Sequence, residues 1–212
     1  MGAITRHDRA PLRGADWQPD VTQLMDEQHL AAWSDDPRTR VTFATRLSHF
    51  LETQRDTEVV NFYGRFVTDL EAFCYQLESA LPGSPLARRI HGPTGVISLL
   101  RERETFRFRA PPKFRYYVWH DADVLIERDR MLFGQLVDAV LGVSAENEFI
   151  SDDALMIQRA VFLGGPALKA YADDANGQMR SWLPDGHPEP FWRAVTGVDR
   201  PHVAVWEISR LV

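Results

Sequence analysis

Ten residues, Phe114 to Asp123 (FRYYVWHDAD), constrain the fold more than any other stretch of this chain. Six consecutive bulky positions, Phe114 to Trp119, interrupted only by Arg115, are too short for a helix of ordinary length and too apolar for a surface loop. They predict a strand buried on both faces, which is how strands in helix-covered parallel sheets read. The run stops abruptly at His120, Asp121 and Asp123, so the strand delivers a polar cluster to one edge of its sheet.

Around that strand the patterning alternates. Residues 1–38 are punctuated by Pro11, Gly14, Pro19 and Pro37 and read as an irregular arm, with one short helix around Val21 to Trp33. Phe43, Leu47, Phe50 and Leu51 share one face of a helix expected over 39–54. Glu58 to Gly64 reads as a strand and a turn. Thr68 and Glu71 then match a capping box, in which hydroxyl and carboxylate satisfy the first free amides of a helix. Leu70, Phe73, Cys74, Leu77 and Leu81 follow at helical spacing until Pro82-Gly83 stops them. A helix from Pro93 to Arg103, a half-exposed strand over 105–109 and a helix over 127–141 complete the middle. ALMIQRAVFL (154–163) is compatible with strand or helix, and its β-branched and aromatic end before Gly164-Gly165-Pro166 favours strand. A helix over 166–172 and a closing strand over 202–208 follow.

Strands separated by helices must pair in parallel through right-handed crossovers. The expected fold class is therefore α/β: a three-layer sandwich with a mostly parallel sheet of about four to five strands and helices on both faces. One such domain is expected over 39–212 behind the 1–38 arm.

Composition narrows the function classes. The 212 residues carry a net charge of −6, which disfavours binding of nucleic acid by the surface at large. Charge is uneven, however: Arg88 to Arg115 holds eight basic and two acidic residues, +6, leaving −12 for the remainder. Phe106-Arg107-Phe108-Arg109 lies within that segment. Its arginines either face phosphates over aromatic rings, dock an acidic protein surface (that of another copy included), or guard an edge strand against pairing. The last reading is favoured. One cysteine, Cys74, precludes an intramolecular disulfide and falls in an apolar helical pattern, as a core thiol does. The start MGAITRHDRAPLRG lacks an apolar leader, and Arg6 breaks the myristoylation pattern. No run approaches the roughly 18 apolar residues of a membrane span. A cytoplasmic protein is expected.

In open parallel sheets ligands gather at the carboxyl ends of strands, which here means Tyr63-Gly64-Arg65, His120 to Asp123 and Gly164 to Pro166. The first has the strand–turn–helix order of a phosphate loop but no GxxxxGK[ST]: a second glycine and the lysine are missing, and Asp69 and Glu71 already complement the helix dipole. Trp119 to Leu125, an apolar strand delivering acids, resembles the Walker B region of P-loop ATPases of the AAA+ type, and the layout of 40–165 resembles theirs. That resemblance implies a Mg²⁺-holding role for Asp121 beside His120. Ala122 stands where the family has a glutamate, and the absent lysine implies a non-hydrolysing relative. The same residues resemble the DxD signature of glycosyltransferases with a nucleotide-diphosphate-sugar fold, which implies Mn²⁺ or Mg²⁺ held by Asp121 and Asp123. Val59 to Pro82 with the strand at Phe114 to Trp119 resembles barstar, an α/β ribonuclease inhibitor, although no acidic docking helix accompanies it. A purely structural role for the acids, capping the next helix, is the plainest alternative.

No two of the seven histidines lie three or four residues apart, and neither GxSxG nor GxGxxG occurs. Two functions remain in view. The first is a non-catalytic α/β binding or regulatory domain engaging a protein partner, a further copy or a nucleotide through Arg65, Arg107, Arg109 and the HDAD strand end. The second is a divalent-metal-dependent enzyme acting on a nucleotide or phosphorylated substrate through Asp121 and Asp123. The first is favoured, because each enzymatic template lacks a chemically essential part.

Overall fold

The computed structural model describes residues 28–80, 114–149, 157–183 and 202–208. Within them the order is β1 (His29–Trp33), α1 (Pro37–Glu52), β2 (Thr57–Tyr63), a 3₁₀ turn (Gly64–Phe66), α2 (Leu70–Ala80), β3 (Phe114–His120), α3 (Ala122–Arg128), α4 (Arg130–Phe149), β4 (Ile157–Gly164), α5 (Pro166–Asp173), a second 3₁₀ segment (Gln178–Trp182) and β5 (Val203–Glu207). The five strands form one sheet in the order β2-β3-β4-β1-β5, and every pairing is parallel. The expected α/β class is what the molecule has.

Chain direction explains the layering. Steps β2 to β3, β3 to β4 and β4 to β5 all move the same way across the sheet, the last passing over β1; the step β1 to β2 moves the other way. Right-handed crossovers therefore put α1 on one face and the other connections on the opposite face. The cores divide accordingly. Phe43, Leu47 and Leu51 of α1 pack with Leu30, Tyr116, Val118 and Val161. Phe73, Leu77, Leu125, Phe133 and Tyr171 pack with Phe62, Tyr117, Trp119 and Phe162 on the other side. Alternate residues of β3 feed the two cores, so its apolar run is buried twice over, as its sequence predicts.

Two expectations are corrected and one open choice is decided. The arm expected over 1–38, with its helix near Val21 to Trp33, contributes β1, which lies between β4 and β5 with Leu30, Ala31 and Ala32 fully buried. The helix expected over 127–141 is two helices broken at Asp129, whose backbone leaves the helical region (φ −150°) and whose carboxylate accepts from the Leu132 amide at 2.9 Å. The first of them already starts at Ala122, directly after β3. The strand favoured for residues 154–163 is present, from Ile157. The helix over 93–103 and the strand over 105–109 lie outside the described residues.

Candidate functional site

The carboxyl edge of the sheet carries two separate polar clusters, one on either side of α3.

The first occupies the topological switch point. Neighbouring strands β1 and β4 send their connections to opposite faces, and the gap this opens is where doubly wound sheets bind ligands. The Ser34 amide donates to the Gly164 carbonyl at 3.2 Å, which holds the strands together up to the rim. From β1 the chain enters α1 through Ser34-Asp35-Asp36. Asp36 caps α1, accepting from the Arg38 amide at 3.1 Å and the Thr39 hydroxyl at 2.8 Å. Arg40, one turn into α1, swings back over the gap. Its Nη1 donates to the Ser34 carbonyl at 2.6 Å, and its Nη2 lies 3.9 Å from Asp123 Oδ2. Both side chains are largely covered, at 22% and 18% exposure.

Gly164 and Gly165 complete this cluster. A Cβ on Gly165 would fall 2.8 Å from Arg40 Nη1 and 3.3 Å from Asp123 Oδ2. One on Gly164 would fall 2.7 Å from Leu168 Cβ and 3.3 Å from Asp123 Oδ1. The ion pair thus rests directly on the backbone that leads into α5, with the Asp123 carboxylate at the amino end of that helix, where its dipole favours a negative charge. Lys169 Nζ sits 5.0 Å over the Trp33 ring at the same edge.

The second cluster lies at the ends of β2 and β3. Tyr63 and His120 are paired in the sheet register, and their rings stack 4.8 Å apart at 13°. His120 Nε2 lies 2.9 Å from Asn61 Oδ1. Burial pushes the imidazole below its ordinary value; Asp121 opposes that shift and Arg65 adds to it. Asp121 has left-handed backbone angles (φ 52°, ψ 42°), a conformation that Asp tolerates better than most residues. Its side chain accepts from Arg65 Nε at 2.8 Å and pairs with Arg65 Nη2. Gly64 packs so tightly here that a Cβ would fall 2.3 Å from the Asp121 carbonyl oxygen. Arg128 closes the turn from beneath, donating to the carbonyls of Gly64 (3.0 Å), Arg65 (3.3 Å) and Val67.

The sequence-predicted residues therefore separate. His120, Asp121 and Arg65 come together on the β2 side. Asp123, two residues on, points into the β1/β4 gap, because α3 begins at Ala122 and turns successive side chains through about 100° each. Asp121 and Asp123 are held by different arginines. Arg107 and Arg109 lie outside the described residues. Among the described residues, no three His, Cys, Asp or Glu side chains gather as a metal site would require. Sequence reasoning missed Arg40, and the only signal for it was its place one turn after a strand that was itself not recognised.

Among the described residues no helix is long and apolar enough to cross a membrane. No protein-family model and no curated protein matches this chain. Among solved structures it is similar to a chain in the structure of Drosophila ORC bound to AT-rich DNA and Cdc6, with a TM-score of 0.46 and 13% identity over 92% of this chain; it spans 29% of that chain.

Proposed function

We propose that this chain is a non-catalytic α/β binding domain that engages a protein partner. The observation that carries the reading is the state of the switch-point gap, which the chain fills with its own Arg40–Asp123 pair. A nucleotide there would need glycine-rich backbone opening onto a helix N-terminus and a lysine for the phosphates. The Ser34-Asp35-Asp36 turn supplies neither and adds two carboxylates at the amino end of α1. The turn after β2 has one glycine, and its backbone is pressed against Asp121. A metal-dependent reaction through Asp121 and Asp123 would require both carboxylates to leave their arginines and converge from opposite sides of α3.

Thermal melting tests this. Neither Mg²⁺ nor Mn²⁺, alone or with ATP or a nucleotide sugar at millimolar concentration, should move the melting temperature. A ligand present at 100 times its dissociation constant would add about 2.7 kcal/mol, a shift of several degrees. Such a shift, abolished by Asp121→Asn, would overturn the reading in favour of a metal-dependent enzyme.

A further inference from the structure

We infer that Asn176–Gly177 is a site of spontaneous backbone modification, deamidation through a cyclic imide, and that Asp174 is the latch that keeps it closed in the folded chain.

Asn176 is the only asparagine of the chain followed by glycine; Asn61 precedes Phe62 and Asn147 precedes Glu148. The chemistry needs only the chain and water. The Gly177 backbone nitrogen gives up its proton and bonds to the side-chain carbonyl carbon of Asn176. The bond from that carbon to the side-chain nitrogen breaks, and ammonia leaves with the proton. Water then opens the imide at either carbonyl, giving aspartate or the isomer whose main chain runs through the side-chain carbons. A Cβ on the following residue hinders the attack, and glycine has none.

Asn176 is exposed, in the turn 174–177 that joins α5 to the second 3₁₀ segment. Two bonds to one residue oppose the reaction there. The Gly177 N–H donates to the Asp174 carbonyl at 3.0 Å, and the Asn176 N–H donates to Asp174 Oδ1 at 2.9 Å. The proton that must leave is therefore held, and the backbone on both sides of Asn176 is fixed. The Asp174 carboxylate also disfavours the negative charge that builds on the attacking nitrogen. Asp174 is itself anchored by pairing with Arg130 of α4, whose guanidinium lies 4.8 Å over the Tyr171 ring. Attack thus requires the turn to open locally.

The isomerised product would lengthen the main chain in a connection without slack. Directly beyond it, Gln178 Oε1 accepts from the Tyr171 hydroxyl at 2.8 Å, Met179 is completely buried, and Trp182 Nε1 donates to Asp138 of α4 at 3.2 Å. Conversion at Asn176 pulls on the packing of this segment against α4 and α5.

Peptide mapping by mass spectrometry of the full chain, held at mildly alkaline pH, tests the inference. In the chain unfolded by guanidinium, the peptide bearing Asn176 should convert from amide to acid ahead of those bearing Asn61 and Asn147. In the folded chain that conversion should be slower by about tenfold or more, the factor that one charge-assisted hydrogen bond represents. Asp174→Ala, checked to melt as a folded protein, should recover about tenfold of the rate. No preference for Asn176 in the unfolded chain, equal rates folded and unfolded, or a folded Asp174→Ala that converts no faster than the parent would each overturn it. The parent alone decides the matter if that variant does not fold. Below its unfolding transition the rate should hardly change with denaturant, because opening one turn exposes little surface. A rate that climbs with denaturant as steeply as global unfolding does would place the reaction in the unfolded chain and overturn the local latch.

Discussion

Gly64 shows how much a single hydrogen atom in place of a side chain can decide. Its α-carbon lies so close to the Asp121 carbonyl that a methyl group would stand 2.3 Å from a backbone oxygen, with no flexible side-chain end to yield. Either the turn after β2 or the junction between β3 and α3 must move, and the Arg128 and Arg65 bonds fasten both. Overpacking of this kind costs about 1–3 kcal/mol or more. Gly64→Ala should therefore lower the unfolding free energy by that amount, as chemical unfolding would measure, although alanine is otherwise the better former of ordered structure. The close approach is invisible in the sequence, where Gly64 reads as an ordinary turn glycine. The separation of 56 positions between Arg65 and Asp121 hides their pairing in the same way.

At the scale of elements, the β3 terminus is built to keep His120 neutral. Covered by its surroundings, stacked on Tyr63 and bonded to Asn61, its imidazole titrates below the ordinary value of 6.5. The unfolded chain then takes up a proton before the folded one, so stability conferred by this group is complete above the unfolded value and is lost as pH falls from there towards the folded one. His120→Gln, which keeps an amide within reach of Asn61, should show a flatter dependence of the unfolding midpoint on pH across the mildly acidic range. Equal slopes in the two proteins would show that His120 does not carry the effect. Elements whose signals are local were legible in advance: β3 from its apolar run, α2 from its periodicity, although Asp69 and not Thr68 caps it, and α5 from the proline after paired glycines. β1 was not. HLAAW is five residues long, shows no alternation because both faces are buried, and contains alanines that suit a helix equally well. Its identity as a strand comes from β4 and β5, which flank it in space and follow it by more than a hundred residues. With β1 hidden, the switch point and Arg40 are hidden too. The break at Asp129 is hidden for a related reason: the apolar face of α4 continues the pattern of α3, and only the cap that Asp129 places on the Leu132 amide separates them.

Across the whole molecule, the one-sided return from β1 to β2 leaves α1 alone, among the described helices, to cover its face of the sheet, while α2, α3, α4 and α5 share the other. The two cores share the same five strands, and this should bind them into one cooperative unit. Cys74 offers a way to measure that. It is the sole cysteine, it is buried on α2, and burial together with nearby Glu71 raises its thiol pKa. Under native conditions it should therefore react with a thiol reagent only when the protein opens. Leu47 lies in the opposite core and is completely buried. Leu47→Ala should cost about 2–5 kcal/mol. If opening is global, labelling of Cys74 in the variant should accelerate by the corresponding factor, roughly 30- to 4,000-fold at 1.4 kcal/mol per decade, in the regime where closing outpaces reaction. An unchanged labelling rate, with the midpoint lowered as expected, would mean that α2 detaches by itself. The turn at Tyr63 to Phe66, which bonds to α2 through Gln76, would then belong to a part of the sheet that opens before the rest.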